Sequence, residues 1–252
     1  MCQLQQGRVT SRSVQESGAW PEARWRHSAT QVHLGGPGLV LLGGLGLSGV
    51  LSLEDAWVLD TDNVSWQHFQ VDPAPDGGYP CGRHSHAACL GSGGVLICGG
   101  LDEQEQLLSD AWTLHAVFDG VQNRFKLAWR QALSPLPQPR YGHNLHVHLD
   151  HVIVVGGIEA SYGAAPICAF GRPVHVQCET IKDGEEEIFM WHNLASLYLD
   201  GFVLVLGGGG NCFSFGTHLN QSARRIDLNA LIKLAEKSQG RLSVQCCPWQ
   251  LC

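Results

Sequence analysis

The run Val95-Leu96-Ile97-Cys98-Gly99-Gly100 joins a short apolar segment to a pair of glycines. Four to six consecutive apolar residues are typical of a strand that is buried on both faces. A glycine pair ends such a strand where no side chain fits and where positive φ angles are permitted. The same arrangement occurs three more times and ends at Gly43-Gly44, Gly156-Gly157 and Gly207-Gly208. The first glycines of the four pairs stand at positions 43, 99, 156 and 207, which are 56, 57 and 51 residues apart.

Three further markers recur in phase with the glycine pairs: an arginine with a histidine, an Asp-Ala-Trp tripeptide, and a tryptophan before a proline-rich loop. They are Arg26-His27, Arg83-His84 and Arg140 with His143; Asp55-Ala56-Trp57 and Asp110-Ala111-Trp112; and Trp66 and Trp129. A repeat of about 50 residues with these features is typical of Kelch repeats. Each repeat of that kind forms one blade of a β-propeller.

The sequence therefore predicts an all-β fold, a partial Kelch-type β-propeller of about four blades' worth with a short C-terminal helix. We expect residues 23–222 to form the propeller part, residues 1–22 an unassigned N-terminal segment, and residues 223–252 the helix and tail. The helix is predicted over 226–237 because Leu228, Leu231, Ile232 and Ala235 fall on one helical stripe. Propellers have about four to eight blades, and an open arc of blades exposes two apolar faces. The pattern thus favours part of a larger ring whose first blades are absent over a small complete propeller.

Composition excludes several classes of protein. Hydrophobic residues make up 44% of the 252 residues, so the chain is not disordered. A net charge of −7 gives no overall attraction to nucleic acid or to anionic membranes, although a local basic patch is compatible with it. No apolar run reaches the 18 or so residues of a membrane helix, and residues 1–20 lack a secretory signal pattern. We therefore expect ten reduced cysteines and a cytoplasmic location.

Clusters of histidine and cysteine raise the question of a metal site. Cys81, His84, His86 and Cys89 supply zinc-type ligands, but the histidine at 84 is also a repeat marker, and the sequence favours no metal. His143, His146, His148 and His151 are weaker candidates, because no acidic or cysteine partner lies nearby in the sequence.

Neither the glycine-rich run nor the cysteine that follows it predicts catalysis. Gly207–Gly210 resembles a phosphate loop, but Phe213-Ser214-Phe215 follows where a helix is needed, so a strand end is expected. Cys212 could act as a nucleophile with His218 as its base, but an inert cysteine is the default. No catalytic residue is predicted.

The arginines that recur in phase are the better functional candidates. Equivalent residues of a propeller lie around one face of the ring, so Arg26, Arg83 and Arg140 could bind an anion such as phosphate or a carboxylate, or could contact RNA. His27, His84 and His143 accompany them. The alternative, which regular repetition favours, is a structural role in which each arginine bonds backbone carbonyl groups between blades.

The last third of the chain carries a more specific resemblance. The segment from Leu204 to Asn220, which contains Gly207–Gly210 and Cys212-Phe213-Ser214-Phe215-Gly216, resembles the end of the tRNA wybutosine-synthesising protein 4 family, also called leucine carboxyl methyltransferase 2. Pro139–His143 and Asp110-Ala111-Trp112 are compatible with the propeller of that family. The resemblance covers about residues 24–237.

The resemblance implies a role in the last steps of wybutosine synthesis on phenylalanine tRNA. In that family, a methyltransferase domain that uses S-adenosylmethionine precedes a C-terminal Kelch propeller. This chain shows no glycine-rich loop between an N-terminal strand and a helix, so no cofactor-binding residue is assigned and the chain is expected to be a non-catalytic fragment or isoform. The alternative function is a Kelch module for protein–protein interaction, such as a substrate adaptor. A copper oxidase on a propeller scaffold ranks lowest, because only four tyrosines are present.

Overall fold

The computed structural model describes most of the chain. The described residues are 2–5, 8–11, 18–122, 124–132, 136, 138–149, 151–159, 167–170, 174–180, 191, 193–212, 216–221, 223–237 and 242–248. A hairpin of β1 (Cys2–Gln5) and β2 (Arg8–Ser11) precedes the repeats. None of the helices in the described residues is long or apolar enough to cross a membrane.

The described residues form four blades, each made of four antiparallel strands in chain order. The strands of the first blade are β3 (Ser28–His33), β4 (Pro37–Leu42), β7 (Asp55–Asp60) and β8 (Ser65–Asp72), with a small hairpin of β5 (Leu45–Gly46) and β6 (Gly49–Val50) beyond the glycine pair. The strands of the second blade are β9 (Ala87–Gly91), β10 (Gly94–Cys98), β11 (Ala111–Asp119) and β12 (Arg124–Gln131).

The third and fourth blades repeat this order. The strands of the third blade are β14 (Asn144–His148), β15 (His151–Val155), β17 (Ile167–Phe170) and β18 (Val174–Thr180), with β13 (Arg140–Tyr141) paired to β16 (Ile158–Glu159). The strands of the fourth blade are β19 (Leu194–Leu199), β20 (Phe202–Gly207), β23 (Arg224–Asp227) and β24 (Leu242–Pro248), with a hairpin of β21 (Gly209–Cys212) and β22 (Gly216–Leu219). The helix α1 (Leu228–Lys237) lies between β23 and β24.

The blades associate through their inner and outer strands. Among the inner strands, β3 packs on β9, β9 on β14 and β14 on β19. The outer strands β8 and β12 also meet in a short parallel ladder, as do β18 and β24, so blades one and two form one eight-stranded sheet and blades three and four another. This arrangement, together with the Kelch repeats, confirms the predicted all-β propeller of about four blades.

The apolar core lies between the blades. Val40, Leu42 and Val58 of the first blade pack against Trp112 and Leu114 of the second. Trp129 is fully buried there, and its indole N–H donates a hydrogen bond of 2.7 Å to the carbonyl oxygen of Leu53. A second cluster joins blades two and three. Successive residues of a strand are therefore buried against the blades on either side of it, as the uninterrupted apolar runs predict.

The fourth blade extends past residue 222, where the sequence places the end of the propeller part. Its outer strand β24 follows α1 and pairs with both β18 and β23. The helix begins two residues after its predicted start, and Asp227 caps it by accepting a hydrogen bond of 2.9 Å from the backbone N–H of Ala230. Leu228, Leu231 and Ile232 are buried, so the helix is packed into the blade as an insertion.

The glycine pairs lie where neighbouring blades touch. The first glycine of each pair has a positive φ, and a Cβ atom on Gly43 or Gly99 would lie 2.6 Å from a carbonyl oxygen of the next blade, that of Arg83 or Arg140. In these two pairs the second glycine donates its N–H to that same oxygen, from Gly44 to Arg83 at 2.9 Å and from Gly100 to Arg140 at 2.8 Å. The pairs thus end the strands and also let adjacent backbones approach.

Candidate functional site: arginines and histidines where the blades meet

Arg24, Arg83 and Arg140 occupy equivalent positions in the first three blades. In each case Nη1 donates a hydrogen bond of 3.2 Å to the carbonyl oxygen of the first glycine of the pair, which is Gly43, Gly99 or Gly156. The structural counterpart of Arg83 is therefore Arg24, two residues before the Arg26 that the sequence pattern pairs with it. The sequence cannot separate the two choices, because arginines flank Trp25 on both sides.

The second and third of these arginines are fully buried beside a carboxylate. Arg83 makes two hydrogen bonds of 2.8 Å to Asp110, and Arg140 pairs with Glu159. Burial acts to lower the pKa of Arg83, but the hydrogen bonds and charge of Asp110 outweigh it and raise that pKa. Burial likewise acts to raise the pKa of Asp110, but the hydrogen bonds and charge of Arg83 and the hydrogen bond from Trp112 together outweigh it and hold that pKa below its usual value. Both arginines are thus engaged within the blades and out of reach of a ligand.

A row of histidines follows the arginines. His27, His86 and His143 stand immediately before the inner strands β3, β9 and β14. His86 Nε2 is hydrogen-bonded to Ser28 Oγ of the preceding blade at 2.8 Å, and His143 Nε2 to Cys98 Sγ at 3.3 Å. Burial and the nearby arginines lower the pKa of His86 and of His143 to about 3. These two imidazoles stay neutral and join neighbouring blades.

Residues with left-handed backbone precede these histidines and form a row of their own. They are Arg26, Ser85 and Gly142, with φ of 54°, 54° and 65°, and in the fourth blade Asn193, with φ of 53°. The N–H of Ser85 donates to the carbonyl oxygen of Arg26 at 2.9 Å, and the N–H of Gly142 donates to that of Ser85 at 2.8 Å. Because the inner strands of a propeller surround its central channel, this row lies at one mouth of the channel. We call it the channel-mouth row.

Arg26 is the one charged residue of the channel-mouth row, and its side chain is exposed. Next to it, His84 is buried, with Nδ1 3.1 Å from Ser85 Oγ and Nε2 3.4 Å from Glu105. Burial lowers the pKa of His84, Glu105 opposes that shift, and the positive charge of Arg26 adds to it. The Ser85 hydroxyl is thus bonded to His84 and the Asn193 amide donates to the carbonyl oxygen of Gly209, so the exposed guanidinium of Arg26 is the group of this row that can bind an anion.

Several of the cysteines and histidines considered as metal ligands have other partners. Cys81 Sγ contacts Arg83, His86 is bonded to Ser28, and burial raises the pKa of Cys89 to about 12. In the second group, His146 is bonded to Ser196, and His148 to Tyr198 and Asn229. Within the described residues, no three of His, Cys, Asp and Glu are grouped so as to hold a metal ion.

The glycine run and the cysteine after it lie in strands. Gly207 ends β20, Gly209 begins β21, and Cys212 ends β21 opposite Gly216 of β22. No helix follows the glycines, as the sequence predicts. The side chains of Cys212 and His218 lie outside the described residues, so the proposed nucleophile and base are not tested.

Sequence reasoning missed several residues of the site, among them His86 as the counterpart of His27, for which the pattern offered His84, and Ser85 and Gly142 of the channel-mouth row. Arg24 was missed because either Arg24 or Arg26 fits the repeat pattern. Asn193 was missed because the fourth repeat lacks the arginine marker. Glu105 lies in the loop after β10, where the repeats share no pattern that would have pointed to it.

Comparison with known proteins gives a family model and several relatives. The model that matches is the KLHDC2/KLHL20/DRC7 Kelch-repeats domain, over residues 1–157. The tRNA wybutosine-synthesizing protein 4 of Rattus norvegicus is 32% identical over 91% of this chain and 33% of its own length. The human protein of that name is 33% identical over 82% of this chain and 30% of its own length.

An F-box/kelch-repeat protein of Arabidopsis thaliana is also similar, at 29% identity over 75% of this chain and 41% of its own length. The chain spans about a third of the length of the rat and human relatives that it matches. These matches confirm the resemblance that the sequence carries.

Proposed function

Because this chain belongs to the family of the KLHDC2/KLHL20/DRC7 Kelch-repeats domain, we propose that it is the propeller part of a tRNA wybutosine-synthesising protein and that it binds tRNA. The partner we propose is phenylalanine tRNA that carries the wybutosine precursor, met in the cytoplasm. The single observation that carries the proposal is the similarity to the rat and human proteins over most of the chain.

The channel mouth is our candidate for the RNA contact. Arg26 is exposed there, whereas Arg83 and Arg140 are buried against carboxylates. A guanidinium can hold a phosphate oxygen pair with two parallel hydrogen bonds. With a net charge of −7, binding must depend on such a local site, so we expect a few phosphate contacts and a shallow dependence on salt.

Transfer of the methyl group is proposed to take place outside this chain. S-adenosylmethionine sites of the dinucleotide-binding type need glycines between a strand and a helix N-terminus. The described residues do not fit that requirement, since Gly207–Gly210 lead into β21. We therefore assign the propeller a role in holding the RNA and no chemical step.

The test is a binding titration with labelled tRNA across salt concentrations. The folded chain is expected to bind tRNA with the wybutosine precursor more tightly than unmodified tRNA. Arg26→Gln should weaken binding and reduce the slope of log affinity against log salt by about one. Arg130→Gln is the matched control, because Arg130 is also exposed but lies on the outer strand β12. A folded chain that ignores tRNA, or an equal loss in both variants, would refute the proposal.

The second candidate is a protein-interaction module. It is favoured by the similarity to an F-box/kelch-repeat protein, and the same exposed arginine could bind a carboxylate of a peptide. A folded chain that binds no tRNA would favour this second function over the first.

A further inference from the structure

The fourth blade exposes an apolar face. We call the side of a blade that faces the preceding blade its front face and the opposite side its rear face. On β19, Ser196 and Tyr198 contact the third blade, so they belong to the front face. The alternate residues Leu197 and Leu199, with Leu206 on β20, form the rear face and are 53%, 49% and 44% exposed. Large apolar side chains that share one face mark an interaction surface.

The same face is an interface elsewhere in the molecule. Strand pairing makes Leu199, Leu204 and Leu206 equivalent to Val32, Val40 and Leu42 of the first blade. Those three are only 5%, 1% and 1% exposed, because the second blade covers them. The fold therefore uses the rear face of a blade to hold the front face of another blade.

The chain also carries a front face of the matching kind. In the second blade, five front-face residues are buried against the first blade. The front face of the first blade has apolar residues at the same five positions. The pairs are Leu39 and Val95, Leu41 and Ile97, Trp57 and Trp112, Leu59 and Leu114, and Trp66 and Trp129. The second-blade members are at most 6% exposed. In the first blade Leu39, Trp57, Leu59 and Trp66 remain half-buried, and Trp20 lies against Trp66 with ring centroids 6.4 Å apart.

We propose that a second copy of this chain occupies the exposed face, with the rear face of the fourth blade of one copy packed on the front face of the first blade of the other. The interface continues the contact that blades one and two already make. It is head-to-tail, so two copies can make it twice and close a ring. Two copies bring together eight blades, which is within the range of known propellers.

The test is the mass of the chain in solution, measured by light scattering and by sedimentation over a range of concentrations. We expect twice the 27.4 kDa of one chain, with a modest dependence on salt, because the exposed Arg225 pairs with Leu204 and so shares the rear face with the leucines. Leu197→Asp on the rear face and Leu59→Asp on the front face should each weaken the dimer by at least about tenfold, since each buries an unpaired charge. Where Leu59→Asp does not fold, Gln31→Arg replaces it, because Gln31 is exposed and pairs with Leu39 on the same face.

Mixing the two variants separates this arrangement from others. Each variant retains the face that the other has lost, so the mixture forms one intact interface and should dimerise more strongly than either variant alone. Val121→Asp is the matched control, since Val121 is apolar and 96% exposed but lies in the turn after β11. A folded wild-type monomer would overturn the proposal. So would a front-face variant that dimerises like wild type, because the rear faces would then bind each other.

Discussion

At the scale of single residues, the buried arginines depend on their carboxylate partners. Arg83 is fully buried, whereas Asp110 is 30% exposed at its side chain. Removing one partner of such a pair leaves a buried charge without compensation, which costs about 3 kcal/mol or more.

We therefore expect Asp110→Ala to lower the free energy of unfolding by about 3 kcal/mol in urea denaturation. The control is Lys126→Ala, which breaks the ion pair of Lys126 with Asp119 at a side chain that is 40% exposed and should cost less than about 1 kcal/mol. Equal losses in the two variants would show that the Arg83 pair has no special role.

The histidines between blades predict a loss of stability in acid. In the unfolded chain an imidazole takes up a proton near pH 6.5, whereas folded His86 and His143 resist protonation down to about pH 3. The stability that comes from burying them neutral is therefore complete above about pH 6.5 and is lost as the pH falls towards 3. The midpoint of unfolding should therefore decrease steadily as the pH is lowered from about 7 to about 5. Most carboxylates titrate below this range, so they contribute little to the change.

A variant isolates the contribution of one histidine. His143→Gln removes one titrating group, so its stability should fall less steeply with decreasing pH than that of wild type. His33→Gln, at the exposed end of β3, is the control for a histidine replaced outside the contacts between blades. A wild-type slope in His143→Gln would contradict this account.

At the scale of the strand, the glycine pairs govern how close the blades come. Gly99 has a φ of +61°, and a Cβ atom there would lie 2.6 Å from the carbonyl oxygen of Arg140. Both the backbone conformation and the space exclude a side chain, and the left-handed conformation alone costs about 1–2 kcal/mol.

Gly99→Ala should lower the free energy of unfolding by at least about 2 kcal/mol, because the clash with the next blade adds to the backbone cost. Gly120→Ala is the control, since nothing lies within 4 Å of its Cβ position. Thermal and urea unfolding measure both variants, and a neutral Gly99→Ala would show that the blades can separate at this point without loss.

At the scale of the whole molecule, the blades fall into two pairs. Outer strands join blades one and two, and separately blades three and four. Blades two and three meet through inner strands and a small apolar cluster that includes Leu145 and Val154. We therefore expect the two eight-stranded sheets to open as separate units, since cooperative units often coincide with such substructures.

Leu145→Ala tests this division. Leu145 is 5% exposed, so its truncation should cost about 2–5 kcal/mol. Hydrogen exchange should become faster in β14 and β15 while amides of β4 keep their protection. Leu149→Ala, at a residue that is 69% exposed, should leave exchange unchanged. Uniform acceleration across all four blades would show a single cooperative unit instead.

The fold class and the place of each blade along the chain could be predicted from the sequence alone. An apolar run followed by two glycines is local information, because burial on both faces and positive φ are required of those same residues. The runs ending at Gly44, Gly100, Gly157 and Gly208 therefore predicted four strands in the right places. The helix stripe around Leu231 was also local, and α1 confirms it.

Which of the repeated residues are exposed and which are bonded to other blades or to carboxylates could not be predicted from the sequence, because it depends on the tertiary structure. Arg83 is bonded to Asp110, 27 residues away, and His86 to Ser28, 58 residues away. Nothing in a local pattern identifies such partners, so Arg24 could not be told from Arg26. The strand β24 likewise became part of the fourth blade by pairing with β23, which α1 separates from it in sequence, and it also pairs with β18 of the third blade. Spacing predicts where a strand lies, but exposure and pairing depend on which distant segments the fold brings together.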